Sequence, residues 1–352
     1  MACLLIGTSG GVYGFNADAD ATPRMLLAGV QAKALAADPV DRARVYCATY
    51  DRGAWRSKDA GETWLPIGTP QDYYRPATVQ GIGPRETSFV SVSPKPGANG
   101  CHAVWVGTEP SRLYRSDDLG ETFECVTEFD LPSRVGWSFP PRPATHHVQW
   151  IAHDRDVIHV SIEAGATLRS QDGGRIFDDR LPNSPRDTHT LRTHLAAPGR
   201  LYAALGDAFF QRGRSFAESR DDGVTWHYFG RGLEAMPYLY GLAVNAGNPD
   251  DIRVAASPDP YAAHFTGGSS IFRRDGDRWV EDAEGFPRER SLTPVLEADP
   301  TRPGCWYALS NLGIFLKEEG ADQWRLIAAL EEWQDMNPMS LAVSARSGAG
   351  SC

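Results

Sequence analysis

The chain has 352 residues, with 35 Lys and Arg against 45 Asp and Glu, which gives a formal net charge of −10. This acidic balance argues against nucleic-acid binding, which depends on neutralising phosphates with basic side chains. Hydrophobic residues make up 41% of the chain, too many for a disordered protein, and no apolar stretch approaches the roughly 20 residues of a membrane span. The composition therefore indicates a globular protein that binds neither nucleic acid nor membrane.

The N-terminal sequence and the cysteines bear on the compartment. The first 15 residues, MACLLIGTSGGVYGF, lack the basic residue and long apolar run of a secretory signal. The six cysteines are scattered without a C-x-x-C pair, which predicts reduced thiols rather than a disulfide framework. We therefore expect a cytoplasmic protein.

An internal repeat predicts the fold. Four clear copies occur at 57–64 (SKDAGETW), 116–123 (SDDLGETF), 170–177 (SQDGGRIF) and 219–226 (SRDDGVTW), and two weaker copies at 273–279 and 317–324. The closing aromatic residues are 59, 54, 49, 53 and 45 residues apart. This spacing is typical of one four-stranded β-propeller blade with its loops.

Each copy of the repeat has the chemistry of a tight turn between two strands. Its Ser and Asp side chains can bond to nearby backbone groups, its Gly can adopt a positive φ, and its closing aromatic ring can pack the turn onto the blade. We therefore interpret the repeated aspartates as turn residues and not as catalytic acids. The pattern S-x-D-x-G-x-[ST]-[WF] resembles the Asp-box, or BNR repeat, of sialidase-like β-propellers.

Strand-like segments precede every copy of the repeat, as at 34–39 and 45–49 before the first copy, and this gives six blades. Strands at 4–7, 12–15 and 25–27, together with one at 340–343, predict a seventh blade closed by both ends of the chain, which leaves no exposed edge. The sequence thus predicts an all-β fold, a single seven-bladed β-propeller over 1–343, with a flexible tail at 344–352.

Arginines point to a ligand site. In a propeller, function usually lies where the loops between successive blades converge, here at 71–88, 131–147, 182–190, 233–240, 285–293 and 331–339. Guanidinium groups match carboxylates and phosphates, so arginines in or beside four of these loops predict a small anionic ligand. The alternative is that they pair with carboxylates such as Asp187 and staple the blades together. The predicted substrate-binding residues are Arg85, Arg142, Arg192, Arg290 and Trp137.

Histidines give the second signal. His146 and His147 precede one predicted strand and His189 lies at the start of the next, so they could meet near the axis. Such a cluster suits a general base or a divalent metal ion. We assign His147 and His189 as candidate bases and Tyr240 as the proton donor or orienting group. The candidate metal ligands are His146, His147, His189, Asp187 and Glu86, whereas His102, His159, His227 and His264 are expected on the surface or within strands.

The resemblance to sialidase-like BNR proteins covers about 56–324 and implies an enzyme acting on sugars, although the sialidase catalytic set itself is not recognisable. Three functions remain open. The first is a hydrolase or lyase acting on a small anionic or carbohydrate-like molecule. The second is a non-catalytic assembly propeller that contacts a protein partner. The third is a metal-dependent hydrolase or lyase at the same mouth. In the second case the contact residues would be Tyr73, Tyr74, Trp137 and Trp333.

Overall fold

The computed structural model describes residues 2–17, 22–68, 81–329 and 337–345. Within these ranges the strands form seven antiparallel sheets, six with four strands and one with three. The predicted all-β, seven-bladed β-propeller is confirmed. The chain, predicted as one domain, divides into two compact units, with unit 1 containing residues up to 179 and those from 339 onward, and unit 2 containing 180–338.

Unit 1 contains four of the sheets. Blade 7 is formed by β1 (Ala2–Thr8), β2 (Gly11–Asn16), β3 (Arg24–Ala28) and the last strand, β27 (Pro338–Ala345). Blade 1 contains β4 (Ala32–Ala37), β5 (Val45–Thr49), β6 (Gly53–Ser57) and β7 (Leu65–Ile67). Blade 2 contains β8 (Thr87–Pro96), β9 (His102–Thr108), β10 (Leu113–Ser116) and β11 (Glu124–Thr127). Blade 3 contains β12 (Val148–Asp154), β13 (Val157–Ile162) and β14 (Ala166–Ser170).

Unit 2 contains the other three sheets. Blade 4 contains β15 (Thr188–Thr193), β16 (Leu201–Leu205), β17 (Phe216–Ser219) and β18 (His227–Phe229). Blade 5 contains β19 (Tyr238–Asn245), β20 (Asn248–Ser257), β21 (Ser270–Asp275) and β22 (Arg278–Glu281). Blade 6 contains β23 (Val295–Ala298), β24 (Trp306–Ser310), β25 (Gly313–Lys317) and β26 (Arg325–Ala329).

Short helical turns lie in the loops. Unit 1 has a 3-10 helix at Pro132–Gly136, and unit 2 has 3-10 helices at Asp207–Phe209 and Arg288–Arg290 and a π-helical turn at Ala262–Thr266. In the described part of the chain no helix has the length and apolar character needed to cross a bilayer.

The two ends of the chain close blade 7, as the sequence predicts. The strand β27 pairs with β1, and the Ser344 hydroxyl donates a hydrogen bond to the Cys3 carbonyl at 3.2 Å. The strand extends to Ala345, two residues into the segment expected to be a flexible tail. The rest of that predicted tail lies outside the described residues.

The central strands of each blade are buried, and neighbouring blades of a unit pack against one another. Every residue of β5, β9, β16, β24 and β25 is buried, whereas the outermost strands β7, β11 and β26 are largely exposed. Between blades 1 and 2, Tyr46, Val104 and Phe123 share one apolar cluster. Burial on two faces explains why these strands read as apolar runs instead of alternating patterns.

The repeated segment forms the expected turn between the third and fourth strands. In blade 2 the amide of Gly120 donates to the Ser116 hydroxyl at 2.7 Å, and Gly120 adopts a φ of 88°. Asp118 accepts hydrogen bonds from the amide of Thr122 at 2.9 Å and from its hydroxyl at 2.6 Å. Asp59 and Asp221 make the same contacts in blades 1 and 4. The interpretation of these aspartates as turn residues is confirmed.

Blade 3 departs from the four-stranded pattern within the described residues. After its repeat turn only one bridge forms, between Arg169 and Asp178, and no fourth strand follows. The next segment contains Pro182 and Pro185, and proline cannot donate the hydrogen bonds that a strand ladder needs.

Candidate functional site

Two kinds of loop meet at one edge of each blade. The entry loop leads into the first strand, and the middle loop joins the second strand to the third. Because consecutive strands are antiparallel, both loops lie at the same edge, which we call the upper edge, and the repeat turn lies at the lower edge. The loops at which the sequence predicts a site are all entry loops. The middle loops supply most of the functional residues that this prediction missed.

A β-bulge near the upper end of five first strands redirects polar side chains. Bulges of this kind turn a side chain away from its expected direction. The Ser88 hydroxyl donates to the Val148 carbonyl at 2.7 Å, and a His189 ring nitrogen bonds the Leu239 carbonyl, so both side chains reach the first strand of the next blade. The register shifts place the bulges at Lys33, Ser88, Gln149 and His189 and between Leu239 and Leu242.

His189 lies at the centre of a polar cluster in unit 2. Only 2% of its surface is exposed. Its Nδ1 donates to the Leu239 carbonyl at 2.6 Å, which leaves the lone pair of the neutral ring on Nε2. This Nε2 lies 3.4 Å from the Tyr238 hydroxyl and 3.6 Å from Oδ1 of Asp187. Asp187, one of the two carboxylates expected near the histidines, thus lies beside His189.

Two further side chains complete the cluster. The Tyr238 hydroxyl lies 3.2 Å from Nε2 of His264, on the π-helical turn of the blade 5 middle loop. The ring of Tyr240 stacks on His189 with centroids 4.9 Å apart and meets His264 edge-on at 5.3 Å. We call Asp187, His189, Tyr238, Tyr240 and His264 the upper cluster. His264, expected on the surface or in a strand, is half-buried on this turn and contacts the first strand of blade 5 through Tyr238 and Tyr240.

Backbone contacts hold Asp187 in place. The Asp207 carboxylate accepts hydrogen bonds from the amides of Arg186 at 3.1 Å and Asp187 at 2.8 Å. Gly206 packs against the cluster so closely that a Cβ there would lie 2.2 Å from Oδ2 of Asp187 and 2.9 Å from Cε1 of His189. The blade 4 middle loop therefore packs against the upper cluster and fixes the position of Asp187.

The candidate base of unit 1, His147, has a different environment. Its side chain is fully buried, and Nε2 lies 2.9 Å from Oε1 of Gln149 and 3.2 Å from Oε2 of Glu163. Its Nδ1 faces Oε2 of Glu109 at 3.9 Å and has no hydrogen-bond partner among the described residues. Glu109 and Glu163 both lie on middle loops, outside the entry loops at which the sequence predicts a site.

Arg142 is bound to a carboxylate of its own unit. Its guanidinium donates to both oxygens of Glu109, at 3.0 and 2.6 Å, and lies over the rings of Phe139 and Tyr50 at 5.0 and 5.6 Å. This arrangement corresponds to the ion-pair alternative, with Glu109 as the partner.

The other predicted arginines do not share one setting. Arg192 donates to Glu297 at 2.6 Å and to the Leu242 carbonyl at 3.2 Å, which is again an ion pair between blades of one unit. Arg85 is exposed in the blade 2 entry loop, near the exposed Glu86, and Arg290 is exposed on the 3-10 helix before blade 6.

Trp137 is a core residue. It is 6% exposed, belongs to the apolar cluster between blades 2 and 3, and donates its indole N–H to the Ser133 hydroxyl at 3.2 Å. The predictions that it binds substrate or a protein partner are therefore wrong, because the blade 2 to blade 3 loop folds the ring inward. Tyr73, Tyr74 and Trp333 lie outside the described residues.

The structure offers no metal site among the residues that it describes. In that part of the chain no three His, Cys, Asp or Glu side chains come close enough to hold a metal ion. His146 instead bonds through Nδ1 to the Ser111 hydroxyl at 2.9 Å. Burial, with a contribution from the charge of Arg134, lowers the pKa of His146 below its ordinary value.

Sequence comparison finds relatives among glycoside hydrolases. No family model matches the chain. It is similar to a xyloglucanase of Acetivibrio thermocellus, with 27% identity over 281 residues, or 68% of this chain and 32% of that protein. It is also similar to a xyloglucanase of a Paenibacillus species, with 27% identity over 316 residues, or 76% of this chain and 28% of that protein. The chain thus spans about a third of the length of the curated relatives it matches.

Structural comparison supports the fold. The GH74 enzyme of Niastella koreensis and the GH74 xyloglucanase of Xanthomonas campestris each superpose with a TM-score of 0.65 and 18% identity, over 93% of this chain and 52% of theirs. YCF48 bound to a D1 peptide superposes with a TM-score of 0.57 and 13% identity, over 90% of this chain and 89% of that one. These proteins share the β-propeller fold, and none of these relatives is named as a sialidase.

Proposed function

We propose that this chain is a carbohydrate-active propeller of the hydrolase or lyase type and that the upper cluster of unit 2 is its site. One observation carries the proposal: Asp187, His189, Tyr238 and His264 form a continuous chain of acid and base groups. The similarity to two xyloglucanases supports a carbohydrate ligand.

The donors and acceptors of His189, Tyr238 and His264 match one another. Because Nδ1 of His189 donates to a carbonyl, its Nε2 accepts the Tyr238 O–H. The Tyr238 oxygen can then accept the Nε2–H of His264. His189, Tyr238 and His264 therefore have donor and acceptor roles that fit one another, whereas Asp187, 3.6 Å from the same Nε2, accepts a proton from His189 only when that ring carries a second one. The buried His189 and Tyr238 act as positioning residues between two ends that are less buried, Asp187 and His264.

Cleaving a glycosidic bond needs one group that protonates the leaving oxygen and another that accepts a proton from water or from a sugar carbon. We assign the acceptor role to the Asp187 carboxylate and the donor role to the His264 imidazolium. Tyr240, which stacks on His189 and is half-buried, orients the sugar.

The test is turnover of soluble polysaccharides, xyloglucan and polygalacturonate among them, followed through new reducing ends and new unsaturated ends. We expect Asp187→Asn and His264→Gln to lower turnover by about 100-fold or more, the usual contribution of a general acid or base. The matched control is Asp277→Asn, which removes an exposed ion pair with Arg231 at the lower edge of blade 5. Turnover that survives both cluster substitutions would contradict the proposal.

A protein-binding propeller is the second candidate function. The observation that favours it is the structural match to YCF48, solved with a bound D1 peptide, which covers 90% of this chain and 89% of that one. In this case the wild-type chain turns over none of the polysaccharides and forms a stoichiometric complex with a purified protein partner.

A further inference from the structure

Four exposed aromatic side chains lie on two adjacent loops beside the upper cluster. Phe209 and Phe210 belong to the blade 4 middle loop, and Tyr261 and Phe265 to the blade 5 middle loop. Their exposed fractions are 64%, 81%, 65% and 74%, and every other Phe, Tyr and Trp that the structure describes is buried or half-buried. Clustered exposure of this kind marks a binding surface, whereas single exposed apolar residues need no explanation.

In the chain, the aromatic residues lie close to residues that form the cluster or pack against it. Phe265 follows His264 in the chain, with ring centroids 6.5 Å apart, and packs against Tyr261 at 5.5 Å. Phe209 and Phe210 follow Gly206, whose backbone touches Asp187 and His189, and their own rings are 5.4 Å apart. Both pairs therefore lie on loops that also contribute to or pack against the upper cluster.

Both pairs are held by ordered backbone. The amides of Phe209 and Phe210 donate to the carbonyls of Gly206 and Asp207 at 3.0 Å in each case. In the neighbouring loop the amide of Ala262 donates to Asp259 at 2.8 Å, and the amide of Thr293 donates to the Ala263 carbonyl at 2.8 Å. The rings are therefore presented to solvent on fixed turns, which lowers the entropy cost of binding.

We propose that Phe209, Phe210, Tyr261 and Phe265 form a stacking surface for the sugar rings of a neutral glycan chain that continues from the upper cluster. This inference rests on the proposed function. A pyranose ring has an apolar face of C–H groups and hydroxyls at its edge, so it buries apolar area on an aromatic face while its hydroxyls reach polar groups.

Charge around the surface favours a neutral ligand. Charged groups of both signs lie on these loops: Arg212 is exposed after Phe210, Asp259 is half-buried in the blade 5 loop, and Glu289 lies beside Arg290 on the 3-10 helix before blade 6. Arg192 is already paired with Glu297. The number of rings indicates the length of the bound glycan. One aromatic side chain covers one sugar ring, so pairs on two loops fit an oligosaccharide and not a monosaccharide.

The experiment is calorimetric titration of the full chain with xyloglucan oligosaccharides and, separately, with polygalacturonate oligosaccharides. The variants are Phe209→Ala with Phe210→Ala, and Tyr261→Ala with Phe265→Ala. The matched control is Leu195→Ala, which truncates an apolar side chain that is 88% exposed at the lower edge of blade 4. All these side chains are exposed, so circular dichroism should show an unchanged fold.

We expect each double variant to weaken binding of the neutral oligosaccharide by about tenfold or more, and the control to change it less than about twofold. Unchanged affinity in both double variants, or tighter binding of polygalacturonate than of xyloglucan, overturns the inference. So does failure of the wild-type chain to bind either glycan, including the case in which the rings prove to contact a protein.

The same titration with Asp187→Asn separates this inference from the proposed function. Binding that depends on the aromatic rings in a chain without turnover supports the stacking surface and contradicts the catalytic proposal. Turnover that persists unchanged in both double variants, with unchanged affinity, supports the catalytic site and contradicts the stacking surface.

Discussion

Arg142 and Glu109 form a two-point ion pair in unit 1, in which the guanidinium donates to both carboxylate oxygens at 3.0 and 2.6 Å. The carboxylate is 7% exposed and faces Nδ1 of the buried His147. The guanidinium itself is half exposed, so the pair joins a buried acid to the protein surface. Arg142 therefore has a structural partner of its own.

Replacing Arg142 should destabilise unit 1, because the buried Glu109 carboxylate then lacks its donor. We expect Arg142→Ala to lower the free energy of unfolding by about 1–3 kcal/mol in urea denaturation. The control Arg231→Ala, which breaks an exposed pair with Asp277, should cost less than about 1 kcal/mol. Adding Glu109→Gln to Arg142→Ala should recover part of the loss. Equal costs for Arg142→Ala and the control would contradict this account.

Glu218 is the focus of a second charge network, in unit 2. Its carboxylate is 2% exposed and accepts hydrogen bonds from Arg200 at 3.0 Å, from Arg220 at 2.6 Å, and from Arg274. Burial alone would raise its pKa, but the bonds and charges of Arg274 and Arg200 hold the pKa below the ordinary value of 4.5. Removing the charge leaves the largely buried guanidinium of Arg274 without its carboxylate partner, so Glu218→Gln should cost about 3–5 kcal/mol at neutral pH.

The pH dependence follows from the direction of that shift. Because the pKa of Glu218 is lower in the folded chain than in the unfolded chain, its contribution is fully present above pH 4.5 and is lost as the pH falls through the folded value. The difference in unfolding free energy between wild type and Glu218→Gln should therefore narrow below about pH 4.5. The exposed control Glu318→Gln should stay close to wild type throughout. A gap that widens in acid would refute the assignment.

Two copies of the repeat turn provide an internal comparison in unit 1. Asp118 accepts from the Ser116 hydroxyl and from both the amide and the hydroxyl of Thr122. In the third copy isoleucine replaces that threonine, and Asp172 accepts from Ser170 and from the amide of Ile176. We expect Asp118→Ala to cost about 1–2 kcal/mol, comparable to loss of a helix cap, and Asp172→Ala to cost less because Asp172 lacks the hydroxyl contact. Urea denaturation of the two variants tests the order, and the reverse order would contradict it.

Gly206 tests how tightly the upper cluster is packed. Its φ of −87° suits any residue, so an added methyl group acts through contact alone, at 2.2 Å from Oδ2 of Asp187. We expect Gly206→Ala to displace Asp187, to shift the ring NMR signals of His189, and to destabilise the chain by about 1–3 kcal/mol. In the control Gly97→Ala the nearest atoms lie 3.4 and 3.5 Å away, and its stability should match wild type. Unmoved His189 signals in Gly206→Ala would show that the loop yields without disturbing the site.

The sequence predicted the blades because their signals are local. The serine, aspartate and glycine of each repeat bond within a few residues of one another, as Ser116, Asp118 and Gly120 show, so the pattern is visible without any tertiary knowledge. Closure of blade 7 could also be predicted, because three N-terminal strands and one C-terminal strand together make one four-stranded blade.

The site was less predictable because its contacts are distant in sequence. Arg142 and Glu109 are 33 residues apart, and Tyr238 bridges to His264 over 26 residues. Charge and residue type alone do not tell an arginine that binds a ligand from one that pairs with a buried acid. One signal was available: the middle loop of blade 5, with the sequence PDPYAAHFTGG, carries aromatic residues and a histidine in a stretch too polar and glycine-rich for a strand.

Pairing of β27 with β1 also affects how the chain is made. About 330 residues separate Thr8 from Pro338, so at roughly 10 residues per second the ribosome needs about half a minute between synthesis of the two strands. During that time the inner edge of β1 lacks the strand that covers it in the folded chain. Such an edge can recruit other nascent strands, so blade 7 is where we expect a folding chain to depend most on chaperones and on dilution from its own copies.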